Sequence, residues 1–418
     1  MMSSASNSGA RRRRNPFAGS WAARLGLIVL ALIVTVCLGS LPWTLARVTG
    51  RGGSAVGGVP RYDVQYRTAR HLPPTWWGVN ASDQRAESEH GRLEATAREI
   101  AIEEMTRTIG LSPEHIAKEH IEPTTAQIRS ATPVYVMGTD LLGRDLFVRC
   151  LAGGGISLGI GLAAALLSVF LGTLYGAVAG YIGGRTDAVM MRIVDVLYGL
   201  PDVLLVVLLA VAAGSVMEEY VSRLGARAAW VKTELGSGEW GVGSGKEVRE
   251  RLVKEAEAKY PARVVSDSGR VAFDLVVLLV AIGGVSWLTM ARVIRGQVLS
   301  LKNQPFVEAA RAMGVPVSGI FLRHLLPNLV GPIIVYATLT VPQAILQESF
   351  LSFLGIGVRA PMPSWGNLAA DGLGELNPVK SHWWLLVFPA LLLSVTLLAL
   401  NFVGEALRDA LDPKRVRR

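Results

Sequence analysis

The sequence predicts an all-α membrane protein of six transmembrane helices with two helical extracytoplasmic inserts. Three observations predict it. Half of the 418 residues are hydrophobic and only 18% are charged. The charge is banded: almost uncharged stretches alternate with dense ones, and each stretch reaches the ~20 residues that cross a hydrocarbon core. The basic residues also collect where membrane sidedness would put them.

The first stretch, 25–46, follows Arg11, Arg12, Arg13 and Arg14 and so imitates a signal peptide. It is longer than a signal's apolar core, and no small-x-small cleavage site follows it. Asn15-Pro16-Phe17 after the arginines is also a poor match to a twin-arginine signal. The stretch is expected to remain as the first transmembrane helix, with 1–24 as a basic cytoplasmic tail. Five more follow, at 156–180, 194–214, 271–291, 329–354 and 383–404. In lipid their backbone groups can be satisfied only within helices.

An even number of spans returns both termini to one side. The tail 411–418 carries Lys414, Arg415, Arg417 and Arg418. The loop 292–328 carries Arg292, Arg295, Lys302, Arg311 and Arg323 against Glu308 alone. Both fall inside by parity, as the positive-inside rule requires, so both termini are expected in the cytoplasm of an inner-membrane protein. The outer loop 355–382 leads into Trp383 and Trp384, which suit an interfacial aromatic belt. Between the first span and a transmembrane domain at 151–410 lies an extracytoplasmic segment, 47–150; a second insert occupies 217–270. Topology accounts for the net charge of +9, and no nucleic-acid partner is expected.

Gly172, Gly176, Gly180 and Gly184 recur every fourth residue, a spacing that lets a neighbouring helix approach one face closely. Pro201, Pro332 and Pro342 are expected at kinks or helix ends. In the first insert, 92–109 has helical character, and Ser112-Pro113-Glu114 resembles a helix start. In the second, Glu247/Arg251, Glu250/Lys254 and Glu255/Lys259 are helical pairs, with Val248, Leu252, Ala256 and Tyr260 along one face. Solvated helices and docking surfaces for a soluble partner both fit these inserts.

Candidate chemistry is sparse. Gly241-Val242-Gly243-Ser244-Gly245-Lys246 imitates a phosphate-binding loop, but Trp240 stands where its first glycine belongs, and Glu247 replaces the hydroxyl that would hold magnesium. The chain is therefore not expected to hydrolyse nucleotide. The two cysteines, Cys37 and Cys150, and the six histidines show no metal-ligand spacing. No catalytic residue, cofactor or metal is expected. Glu348, with Gln343 and Gln347, is the main polar group of the fifth span; it is either part of a translocation path or a structural group at the interface.

The inner loop carries more information. Val307-Glu308-Ala309-Ala310-Arg311-Ala312-Met313-Gly314 combines strong helix formers with a glycine two turns in. These residues predict a short amphipathic helix across the cytoplasmic face, ended or bent at Gly314 and Pro316. Held between two spans, it could pass a push from a partner into the membrane.

Glu308-Ala309-Ala310, Gly314 and Leu326-Pro327 resemble, in residue and spacing, the EAA loop of binding-protein-dependent ABC importer permeases. His324 stands where that family usually has isoleucine. Arg323-His324 before Leu326-Pro327-Asn328 is instead similar to the oligopeptide/dipeptide branch. Gly138-Thr139-Asp140-Leu141-Leu142-Gly143-Arg144-Asp145, the stretch from Glu348 to Gly355, Ser364-Trp365-Gly366 and the stretch from Leu407 to Pro413 resemble that branch's C-type subunit. The resemblance covers roughly 134–216, 271–414 and the first span; the inserts 47–133 and 217–270 depart from it.

The resemblance implies a type I ABC importer permease fold and ATP-driven peptide import by alternating access. Glu308, Ala309, Ala310 and Gly314 would then form the coupling helix. Implied partners are a second homologous permease, two cytoplasmic ABC ATPases and an extracytoplasmic substrate-binding protein. Nickel chelates or sugars are alternative cargoes within the same family. An ion-coupled secondary transporter, or a membrane-anchored scaffold using the inserts, are the readings outside it.

Overall fold

The computed structural model describes residues 21–48, 58–77, 84–109, 122–237, 245–259, 267–378 and 381–411. The helix start expected at Ser112-Pro113-Glu114, the glycine-rich run 241–244 and Tyr260 lie outside them. Helix α1 is Trp21–Thr44. The first insert opens with the strands β1 (Arg47–Val48) and β2 (Val59–Pro60), paired antiparallel, and continues into α2 (Gln84–Ile109) and α3 (Thr125–Ala131). Then come α4 (Leu146–Ile182), α5 (Gly184–Tyr198), α6 (Asp202–Ser237), α7 (Gly245–Lys259) and α8 (Asp267–Leu301). The short helices α9 (Pro305–Ala312) and α10 (Val317–Ile320) lead into α11 (Leu326–Phe353), followed by α12 (Trp365–Gly374) and α13 (Trp384–Leu411).

Among the described residues, five helices are long and apolar enough to cross a membrane. They are Trp21–Thr44, Leu146–Ile182, Gly269–Leu301, Val317–Phe353 and Trp384–Ala410. A sixth span exists only if α5 and the first part of α6, Asp202–Val216, count as one, and these meet at 85°. The span expected at 194–214 is therefore not a single helix. Gly199-Leu200-Pro201 lies at the bend: proline has no amide to continue the ladder and disfavours helical geometry in the residue before it. Hydropathy registers the apolar residues on both sides but not this break.

Helix α4 is the centre of the bundle and is apolar on two opposite counts. Leu162, Leu166, Phe170, Leu174, Val178 and Ile182 form an exposed stripe every fourth residue, a face that suits lipid rather than water. The glycine stripe meets α8. A Cβ at Gly172 would stand 2.5 Å from Met290 Cβ, and one at Gly176 would overlap the carbonyl oxygen of Ala291. Gly180 lies against Arg295 and Val298. Gly184 departs from the stripe: Gly183 and Gly184 both have positive φ, ending α4 and turning the chain into α5, and nothing packs where a Gly184 Cβ would be. The chain then returns along α8, where Asp187 and Arg295 pair through two bonds (2.5 and 2.6 Å) and Lys302 Nζ donates to Gly180 O at 3.0 Å. Two of the expected inside cations thus also fasten α5 and α4 to α8.

Among the described residues both inserts are largely helical, although the first also carries the β1–β2 pair. Helix α6 runs well past the apolar stretch, and α7 folds back on it with Leu252 and Ala256 buried and Lys259 over the Trp230 ring. In the first insert, α2 begins at Gln84, a turn or more before the expected 92–109, and packs through Leu93 and Ile100 onto Tyr66, Ala69, Leu72 and Tyr135. Cys37 and Cys150 are free and buried.

The loop from Gly138 to Asp145 joins this insert to α4. Gly138 (φ 80°) and Gly143 (φ 75°) supply the left-handed conformations; a Cβ on Gly143 would overlap the carbonyl of Tyr66. Asp145 caps α4, its carboxylate accepting from Phe147 N at 2.8 Å. Burial pushes this carboxyl up to about 6, although the amides of Phe147 and Val148 pull the other way. The folded chain holds the proton more tightly than the unfolded one. The group is thus most favourable below the unfolded value of 3.8, and its contribution falls as pH rises through about 6. Asp145→Asn keeps the cap and removes the buried charge. It is expected to raise stability at pH 7.5 by about 1–2 kcal/mol and to flatten the pH dependence between 4 and 7, read by thermal unfolding in detergent.

Candidate functional site

The inner loop forms the short helix expected of it. Pro305 stands in the first turn, where its missing amide costs nothing, and Val307 N bonds Gln304 O at 2.9 Å. Gly314 (φ 75°) ends the helix in a Schellman arrangement. Val315 N reaches back to Ala310 O (3.1 Å) and Gly314 N to Arg311 O (3.0 Å). That conformation explains the glycine without reference to any partner.

Helix α9 has two distinct faces. Val307 and Ala310 are buried in a cluster with Val298 of α8, Ile320 of α10, Leu325 just before α11 and Leu329 in its first turns. Glu308, Ala309 and Gly314 are exposed, as are Arg311 and Met313. Three of the four expected coupling residues therefore face outward, while Ala310 helps to anchor the helix.

Beyond α9 and α10 the backbone is irregular. Phe321–Leu325 forms a π-helical turn, because Pro327 has no amide to bond the carbonyl four residues back. Leu326 N instead bonds Phe321 O, and Asn328 Nδ2 donates to His324 O at 2.6 Å. The segment Val317–Phe353 is thus one apolar span that carries a π-turn close to α9.

At the far end of α11 the three candidate path residues have different surroundings. Gln343 is exposed. Gln347 is half-buried and faces α8, with Ser286 Oγ 3.4 Å from its Oε1. Glu348 is fully buried. Its carboxylate accepts from Ser352 Oγ (2.8 Å) and Ser349 Oγ (3.2 Å), and the hydroxyls of Ser157 on α4 and Ser364 before α12 also bond to it. Ser364 caps α12 through a capping box with Asn367, and the adjacent Trp365 is buried with its indole donating to Cys150 O at 3.1 Å. Gly366 lets α12 lie directly on the carbonyl of Ser349.

Glu348 thus joins α4, α11 and α12. Glu348→Ala would leave several buried hydroxyls without their acceptor and is expected to cost on the order of 3 kcal/mol, measured as a drop in the unfolding temperature of the detergent-solubilised chain. Glu348→Gln, which keeps the shape and one acceptor oxygen, should lose less than half of that.

The sequence that builds this bundle is similar to those of known proteins. Residues 168–417 match the family model described as binding-protein-dependent transport system inner membrane component. The chain belongs to that family. The oligopeptide transport system permease protein OppC of Haemophilus influenzae is 40% identical over 297 residues, 70% of this chain and 76% of the relative. The dipeptide transport system permease protein DppC of Bacillus subtilis is 40% identical over 304 residues, 73% of this chain and 75% of the relative. OppC of Escherichia coli K12 is 42% identical over 280 residues, 67% and 72% of the two chains.

This permease is therefore a multi-pass membrane component of a transport system, and the C-type resemblance of its motifs holds. The structure also brings together permease residues that sequence reasoning did not single out as a group. Asp63, Asp140, Arg144 and Arg149 form one buried ion network, and His71 meets His382 across most of the chain's length. The Gly138–Asp145 motif hinted at the first; no local signal pointed to the second.

Proposed function

We propose that this chain is the C-type permease subunit of an ATP-driven importer of peptides, working by alternating access and coupled to separate ATPases through α9. The observation that carries the reading is the two-faced α9: its exposed Glu308 and Ala309 can meet a partner, while its buried Val307 and Ala310 bind it to α8 and α11. A helix so anchored moves with both spans rather than independently. The names of the relatives support peptide as the cargo class.

In this reading 1–24 and 411–418 face the cytoplasm, and the segments 47–150 and 217–270 face outward from the transmembrane domain 151–410. A second homologous permease completes the pore, two cytoplasmic ATPases engage the inner loops, and an extracytoplasmic binding protein delivers cargo. Gln343 and Gln347 border the path, with Glu348 holding the outer ends of the path helices in place. The chain supplies no hydrolysis of its own.

Reconstitution of the assembled transporter in liposomes tests this. Labelled peptide should accumulate only with ATP, the ATPases and the binding protein all present. Transport that persists without the ATPases, driven by an ion gradient, would overturn the reading in favour of a secondary transporter. Competition by a nickel chelate or sugar but not by peptide would replace the cargo and keep the mechanism.

A further inference from the structure

At the end of the bundle where α12 and α13 meet, three side chains from distant parts of the sequence converge. His71 comes from the first insert, Glu375 directly follows α12, and His382 precedes α13. Glu375 Oε2 stands 3.2 Å from His71 Nε2 and 3.1 Å from His382 Nδ1. The three atoms lie within 4.8 Å of one another, and the two imidazoles stack with centroids 3.9 Å apart and 7° between planes. His382 is buried, and His71 and Glu375 are half-buried.

We propose that His71, Glu375 and His382 form a zinc site that fastens the first insert to the segment joining α12 and α13. Two imidazoles and a carboxylate are a zinc donor set that leaves a fourth position for water. Donor atoms bonded to tetrahedral zinc at ordinary lengths stand about 3.3 Å apart, and both carboxylate-to-imidazole separations are near that. Imidazole and carboxylate also favour zinc over magnesium or calcium, which take oxygen ligands.

The donors sit on a built framework. His71 adopts a left-handed conformation (φ 52°), uncommon for residues other than glycine, and its amide donates to Asp140 O at 3.0 Å. The Thr139 hydroxyl beside it accepts from Leu72 N at 2.7 Å and donates to Ala69 O. His382 N bonds Glu375 O, and Trp384 packs edge-on against the His382 ring at 5.3 Å. Stacked rings point their nitrogens in near-parallel directions, so capture of one ion requires an imidazole to tilt. His382 is suited to this, because its Nε2 is buried with no hydrogen-bond partner among the described residues, and the tilt breaks no bond at that end.

The test uses the full-length, tag-free chain in detergent, stripped of metal and titrated with Zn²⁺ against a chromophoric chelator. One zinc per chain is expected, accompanied by a rise in unfolding temperature, since an ion that binds only the folded state stabilises it. His71→Ala, Glu375→Gln and His382→Ala should each weaken binding by about tenfold or more. His90→Ala, at an exposed histidine beside Glu94, should leave affinity unchanged. Cu²⁺ should quench the fluorescence of the neighbouring tryptophans in the wild type and less in the variants. No zinc-dependent rise in the wild-type unfolding temperature, or wild-type affinity in the His71→Ala/His382→Ala double variant, would overturn the proposal. The wild-type measurement decides even if a variant fails to fold.

Discussion

Asp140→Ala is expected to destabilise the folded chain by about 3–5 kcal/mol, enough to prevent its accumulation in the membrane. Asp140 is almost buried, and its carboxylate accepts from Leu142 N (2.9 Å), Arg144 N (3.0 Å), Arg144 Nε (2.7 Å) and the guanidinium of Arg149. Burial alone would raise its pKa, but the charges of Arg149 and Arg144 and the bonds from Arg144 hold it below the ordinary carboxylate range. A lowered carboxyl contributes stability above the unfolded value and loses it only as pH falls through the folded one. The network therefore holds across neutral pH and fades in acid.

Removing the carboxylate takes from Arg149, nearly without solvent contact, the partner it shares with Arg144 and leaves Asp371 as a nearby negative charge with which it forms no bond shorter than 4 Å. Removing Asp63 instead gives up a single 3.0 Å bond and leaves Arg144 paired with Asp140 at 2.7 Å, so Asp63→Ala should cost only about 1 kcal/mol. Thermal unfolding of the detergent-solubilised chain at pH 7 reads both. An Asp140→Ala midpoint within about 2 °C of wild type would mean that the network is solvated and carries little.

The second large effect is functional. Glu308→Lys combined with Gly314→Ala is expected to abolish peptide uptake by cells while leaving the chain inserted at the wild-type level. Structure gives the reason for the split. Glu308 is exposed, and a surface substitution of that kind changes stability by about 0.5 kcal/mol or less. A Cβ on Gly314 meets nothing within 4 Å, so only its positive φ is strained, at about 1 kcal/mol. The bundle survives both changes. What alters is the face offered to a partner, through the reversed charge, and the Schellman turn that ends α9 at Gly314.

Much of this was legible in the sequence. Five spans followed from hydropathy, because a bilayer needs long apolar runs whatever their packing. Helix α9 and its end at Gly314 followed from helix propensity and from the need for glycine at a left-handed cap. The third span was legible only in part: Pro201 marked a kink, but an 85° bend depends on how α5 packs along α8, which no window of hydropathy contains. Gly184 shared the spacing of the glycine stripe yet left it, since the turn at Gly183 resets the helical phase. Glu348 was visible as an ionisable group in a span, but its partners Ser157 and Ser364 are remote in sequence. The meeting of His71 with Glu375 and His382 was invisible for the same reason, since periodicity describes one helix at a time.

The role proposed for α9 is to transmit ATPase action to the membrane. Its most direct test is ATP hydrolysis by the reconstituted transporter carrying Glu308→Lys and Gly314→Ala. The complex should still insert, and its ATPases should still hydrolyse ATP at the basal rate. Stimulation by peptide-loaded binding protein, however, should be lost together with uptake. Full stimulation and normal uptake by that double variant would contradict it.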